Sequence, residues 1–121
     1  LGEKIMSVEQ VCLEIKRGDS KSYTLFFTDE NSVPLDITGY TLFFTVKEKL
    51  DDVDTSAKIS YTITTFTSPT TGEAVINLTP SNTNLIGSYL FDIQIKDTAG
   101  NITTILEGII NFSRDVTLRE I

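Results

Sequence analysis

A chain of 121 residues, 40% apolar and 22% charged, has the size and make-up of one soluble globular domain. Its net charge of −7 argues against a nucleic-acid module, which needs a basic patch to neutralise phosphates, and against an anionic membrane surface as partner. One cysteine excludes an intrachain disulfide, and the lack of any histidine removes the commonest general base and metal ligand.

The elements are read from hydrophobic period, which is 2 almost throughout. No apolar run approaches the ~20 residues of a membrane helix, and the opening LGEKIMS lacks the apolar stretch of a signal peptide. Residues 10–15 place Val11, Leu13 and Ile15 in alternation; Cys12 lies among them and is read as a small buried hydrophobe rather than a nucleophile. Arg17-Gly18-Asp19-Ser20 follows, a turn signal that also spells the tetrapeptide read by integrin-type receptors. Residues 22–28 set Tyr23, Leu25 and Phe27 against Thr24, Phe26 and Thr28. After DENSVP and LDITG, residues 40–47 set Tyr40, Leu42, Phe44 and Val46 against Thr41, Phe43, Thr45 and Lys47. The hexapeptide YTLFFT occurs in both runs, at Tyr23 and again at Tyr40, and is read as two similar core strands rather than a repeat, because the flanking residues differ.

The polar connection at residues 49–57 is the long one of the chain, expected to be its most mobile part. Next come Ile59, Tyr61 and Ile63 in alternation, the turn TSPTTGE, and a strand with Ile76 and Leu78. PSNTNL is read as one short turn where the chain crosses between sheets. Tyr89, Phe91, Ile93 and Ile95 then alternate with Asp92, Gln94 and Lys96. The turn DTAGN leads to two last runs, residues 102–106 and 109–112. Seven to nine short strands separated by turn signals predict an all-β, antiparallel sandwich of two sheets in a single domain, residues 1–121, with its core at about 10–116.

Chemistry is sparse in this pattern. The glycines fall singly at turns, so no phosphate-binding loop is present, and no nucleophile has a histidine to activate it. Asp51, Asp52 and Asp54 offer oxygen ligands but lack the Gly and distal Glu of a calcium loop, and read as a solvated acidic loop. Sequons at Asn77, Asn101 and Asn111 are expected by chance in a chain with 18 threonines. No catalytic residue, cofactor site or metal site is predicted.

Two sections go beyond a generic β pattern: IKRGDSKSYTLFFTDENSVPLDITGYTLFFTVK and GEAVINLTPSNTNLIGSYLFDIQIKDTAGNITTILEGIINF. Together they resemble the immunoglobulin-like domain at the N-terminus of phage baseplate upper proteins, and the small stand-alone phage tail proteins related to it, over residues 11 to about 116. Within the matched strings, Gly18 and Asp19 suit a sharp reversal, and Asp36 offers a side-chain acceptor before Gly39. Gly87 opens a segment similar to the corner of immunoglobulin domains, with Tyr89 two positions before Phe91, which stands where those domains carry their second cysteine.

The resemblance implies an immunoglobulin-like β-sandwich of 7–9 strands without a disulfide. It implies a non-enzymatic structural or adaptor subunit of a phage or prophage tail, made in the bacterial cytoplasm and built into the virion. Its partners would be other tail or baseplate proteins, in homo-oligomers of threefold or sixfold symmetry. Baseplate upper proteins continue into helical and trimerising segments, whereas this sequence ends at Ile121, so no interface residue is carried over. The alternative is a bacterial surface or carbohydrate-binding sandwich, for which Phe26, Phe43 and Phe66 are the candidate exposed rings, with no Trp to help them. In either case Arg-Gly-Asp reads as a turn, since nothing else in the chain suits a receptor ligand.

Overall fold

The computed structural model describes residues 9–29, 31–49 and 57–116. They form seven strands: β1 (Glu9–Lys16), β2 (Lys21–Phe26), β3 (Thr41–Lys47), β4 (Ile59–Ile63), β5 (Glu73–Leu78), β6 (Gly87–Lys96) and β7 (Ile102–Ser113). A 3-10 turn, Pro69–Thr71, precedes β5. One sheet has five strands in the order β1-β7-β6-β3-β4, and the other pairs β2 with β5. β1 runs parallel to β7, and every other pairing is antiparallel. The expected all-β chain with two sheets and no disulfide is what the residues build.

Alternation explains which face of each strand is apolar. In β3, Leu42, Phe44 and Val46 are fully buried, while Thr41, Phe43, Thr45 and Lys47 are half-buried on the other face. β6 contributes Phe91, Ile93 and Ile95 to the same core, and β5 contributes Ala74, Ile76 and Leu78 from the second sheet. Burying each large side chain of this kind stabilises the fold by about 1.5–3 kcal/mol. The rings of Phe44 and Phe91 lie 6.1 Å apart on neighbouring strands. The two copies of YTLFFT fall on β2 and β3, one in each sheet, with Leu25 and Leu42 turned to the same core. The recurrence reflects two walls of one interior.

Three expectations change, the first being the wholly antiparallel sandwich, which β1 breaks by pairing in parallel with β7. The last two apolar runs are one strand: β7 continues through Glu107 and Gly108 for 12 residues. Its pairing with β6 shifts between Ile93, opposite Leu106, and Gln94, opposite Thr104, leaving Ile105 as the extra residue of a bulge. The bulge reverses the parity of the inward face, so odd-numbered Ile105 is buried at the bulge and the even-numbered Ile110 and Phe112 are buried beyond it. That parity change is what divides the pattern.

Cys12 is exposed rather than buried. Leu13 and Ile15 face the core from β1, so the period of 2 turns Cys12 and Glu14 outward. Apolar neighbours in sequence lie on the opposite face of a strand. The connection at residues 49–57 was expected to be mobile; residues 50–56, with Asp51, Asp52 and Asp54, lie outside the described residues.

The connection before β5 is tied to the one before β3. Phe27 N–H donates to the Gly72 carbonyl at 2.8 Å, Leu35 N–H to the Phe27 carbonyl at 2.9 Å, and Ile37 N–H to the Pro69 carbonyl at 2.9 Å. Gly72 has φ of 76° at this crossing, where a Cβ would collide with the Phe27 carbonyl oxygen and stand 2.8 Å from that of Leu35. Gly100 also has positive φ, 93°, but nothing within 4 Å. We expect Gly72→Ala to destabilise by more than about 2 kcal/mol and Gly100→Ala by about 1–2 kcal/mol, the cost of a left-handed backbone alone. Urea unfolding midpoints measure both; equal losses would reject the steric account.

Candidate functional site: the turn cluster at one end of the sheets

Arg17-Gly18-Asp19 leaves the five-stranded sheet at the end of β1 and enters the two-stranded sheet at β2. Asp19 N–H donates to the Lys16 carbonyl at 3.1 Å, closing a four-residue turn with Gly18 at its third position. Gly18 has φ of 82°, the left-handed value that a type II turn demands there and that glycine adopts without strain. A turn that switches sheets must satisfy its backbone against other segments, because neither sheet ladder continues through it.

Those segments are the crossover between β5 and β6 and the chain after β7. Gly18 N–H donates to the Thr83 carbonyl at 3.1 Å, and the Thr83 hydroxyl donates to the Asp19 carbonyl at 2.8 Å. Arg17 N–H donates to the Ser113 carbonyl at 2.7 Å. The Arg17 side chain folds back rather than outward: Nε lies 3.1 Å from Asp115 Oδ1, and Nη1 donates to Asn84 Oδ1. With the two charged side chains only 15% and 7% exposed, this pair is shielded from water and salt.

Thr83 sits in the crossover that the sequence reads as one short turn. Thr83 N–H donates to the Thr79 carbonyl at 3.2 Å, closing a single helical turn. Asn82 Oδ1 accepts the Thr79 N–H at 2.8 Å while the Thr79 hydroxyl accepts the Asn82 N–H, a reciprocal cap. Sequence reasoning singled out Gly18 and Asp19 and missed Thr83, Asn84 and Asp115. Nothing local distinguishes Thr83 from the other threonines, since its role depends on a turn 64 positions away.

The opposite end is built from side-chain-capped turns. Asp36 Oδ1 accepts the Thr38 hydroxyl at 2.6 Å and the Thr38 N–H at 3.0 Å, and Gly39 follows with φ of 84°. The Asp97–Asn101 hairpin turn is held by Asp97 Oδ1, which accepts N–H groups of Ala99 and Asn101, both at 2.9 Å. Bonds from Thr38 hold the Asp36 carboxyl below the usual carboxylate range, and the Asn101 N–H leads in doing the same for Asp97. Burial, then the charges of Asp97 and Asp36, push the Tyr40 phenol up, so both carboxylates act on one ring.

On β6, Gly87 has φ of 111° with open space around it, and the Tyr89 hydroxyl donates to the Ile86 carbonyl at 3.1 Å. The Tyr89 ring meets Phe112 edge-on at 5.7 Å. Among the described residues, no three of the Cys, Asp and Glu side chains come together in a way that would hold a metal ion. What the structure brings together is backbone polar groups and capping side chains at the two ends of the sheets, an arrangement that fixes loops.

Residues 4–113 match the family model of the BppU N-terminal domain. The chain belongs to that family. BppU is the baseplate upper protein, so the sequence resemblance and the family match agree. The BppU N-terminal domain family places the chain in the phage tail or baseplate, in association with other phage tail proteins and consistent with a structural role. A search of curated proteins returned no match.

Two outcomes follow from this geometry. Arg17→Met leaves Asp115 without its guanidinium partner, and we expect a loss of about 1.5–3 kcal/mol, the range for hydrogen bonds to charged groups; an unchanged urea midpoint would show the pair to be incidental. The lowered carboxyls of Asp36 and Asp97 contribute stability that is present above the unfolded Asp value of about 3.9 and lost as pH falls through it towards the folded values. The thermal midpoint is therefore expected to fall from about pH 5 to about pH 2, and less steeply in an Asp36→Asn/Asp97→Asn variant, whose amides keep an acceptor but do not titrate in that window. Equal slopes would reject the assignment.

Proposed function

We propose that this domain is a non-enzymatic structural or adaptor subunit that docks to other virion proteins through an immunoglobulin-like sandwich. The family match over residues 4–113 carries the reading. The sheet order supports the immunoglobulin part: β7-β6-β3 has the neighbours of strands G, F and C, β4 extends that sheet as C′ does in variable domains, and β2-β5 pairs as B and E do. Phe44 and Phe91 take the central place where such domains pack a tryptophan on a disulfide. Tyr89, bonded to the carbonyl of Ile86 just upstream, fits the tyrosine corner.

Gly18, Asp19, Asp36, Gly39, Gly87 and Tyr89 serve in this reading as turn and corner positions, not as a reactive centre. The subunit is made in the bacterial cytoplasm and assembles as a trimer or hexamer, with no role for nucleic acid or membrane at a net charge of −7. The carbohydrate-binding alternative needs a platform of exposed rings. Phe26 is 69% exposed, but Phe43 and Phe66 are half-buried, which leaves one small stacking face.

The test is multi-angle light scattering of the chain mixed in turn with each tail and baseplate protein encoded by the same phage. A stable complex of defined mass with at least one of them is expected. A chain that stays separate from all of them, or whose melting temperature rises with a sugar instead, would overturn the proposal.

A further inference from the structure

Four strands lie at sheet edges, β1, β4, β2 and β5, and they differ in how they are guarded against pairing with another chain. β1 carries Glu14 and Lys16, β2 carries Lys21, and β5 carries Glu73, charges of the kind that discourage edge-to-edge contact. β4 reads Ile-Ser-Tyr-Thr-Ile and carries none, and Thr64, Thr65 and Phe66 continue it without charge or proline. Its register on β3 runs regularly from Leu42 opposite Ile63 to Val46 opposite Ile59, so no bulge twists the edge away. Among the described residues, brevity is its one protection.

Burial along β4 points the same way. Ile59 is buried, but Tyr61 and Ile63, on the same core-facing side, stay half-buried, and Ser60 and Thr62 are exposed. Among the described strands none pairs with the outer side of β4, so the apolar row of the inner face stops at a half-covered tyrosine and isoleucine.

The order of residue types in β4 is symmetric about Tyr61: apolar, hydroxyl, aromatic, hydroxyl, apolar. An antiparallel pair of identical strands centred on that residue sets Ile59 against Ile63 of the second copy, Ser60 against Thr62, and Tyr61 against itself. Lys58 then falls opposite Thr64 instead of another Lys58, so no like charges meet although each copy carries −7. Self-complementary order is what a two-fold, isologous contact requires; a foreign strand would impose no such symmetry.

We propose that β4 pairs antiparallel with β4 of a second copy of this chain, on a two-fold axis at Tyr61, joining the two five-stranded sheets into one. The pairing completes the cover of Tyr61 and Ile63 and supplies partners to the outward N–H and C=O groups of the edge. Of the two assemblies under the proposed function it fits the hexamer, built from three such two-fold dimers, and not the trimer; it rests on the edge chemistry of β4 alone and stands whether or not a tail protein is found to bind.

The test is sedimentation of the full chain over a concentration series. The wild type is expected to rise from monomer to dimer mass. Ser60→Lys/Thr62→Lys sets lysine against lysine across the axis and is expected to stay monomeric with an unchanged melting temperature, both positions being exposed. Ser60→Lys/Thr62→Glu sets opposite charges across the same axis and is expected to keep the dimer. In wild type, hydrogen exchange at the outward amides of residues 59–63 should slow with rising concentration, a readout that needs no variant. A wild-type monomer at its solubility limit, an oligomer of purely threefold symmetry, a dimer undisturbed by Ser60→Lys/Thr62→Lys, or exchange indifferent to concentration would each overturn the proposal.

Discussion

Thr83 binds two distant turns into one unit, and the rest of the fold depends on that contact. Its carbonyl accepts from Gly18 and its hydroxyl donates to the Asp19 carbonyl, so the β1–β2 turn and the β5–β6 crossover hold each other. It is the single polar residue counted among the fully buried side chains of the described residues. A buried hydroxyl is tolerated only when bonded, because its desolvation otherwise costs more than a typical hydrogen bond returns. The contact lies where the chain passes between the sheets, and no ladder hydrogen bond is available to do the same work.

Around that junction the two sheets are bound chiefly by apolar area. β3 and β6 present alternating buried residues from the centre of the larger sheet, and β5 closes the core from the smaller one. The bulge at Ile105 lets β7 remain paired along its whole length while both Ile105 and Ile110 stay buried. Without it, one half of the strand would turn its isoleucines to solvent, since a one-residue change of register exchanges the faces. At the far end, Asp36 and Asp97 cap their own turns, and the Asp36 loop is also tied to the connection before β5 through Ile37 N–H and the Pro69 carbonyl.

Among the described residues, several polar side chains are engaged in fixing turns. Arg17 illustrates the point. In a displayed loop its guanidinium would face a receptor, whereas here it is held against Asp115 and Asn84. A rigid small domain with fixed turns suits a part that must hold its shape within a larger assembly, in keeping with the baseplate family to which it belongs.

Much of the fold was legible in advance. Period 2 located every described strand, the turn residues located the breaks, and the single cysteine excluded a disulfide. Two readings failed for different reasons, the first because alternation says which residues lie on a common face, not which face is covered. Cys12 was placed inside because its neighbours are apolar, yet Leu13 and Ile15 hold the inner face and turn it outward. The strand β7 reads as two separate runs because a bulge breaks the period.

By itself, the sequence determined the strand-rich character, the turn at Gly18, and the family to which the chain belongs. Those depend on local sterics and on the order of short patterns along the chain. The tertiary structure alone decided that β1 pairs in parallel with β7, that Arg17 meets Asp115, and that Thr83 joins two turns. Such contacts join residues 64 to 98 positions apart. Their energy exists only once the sheets have closed, so no local signal could have marked them.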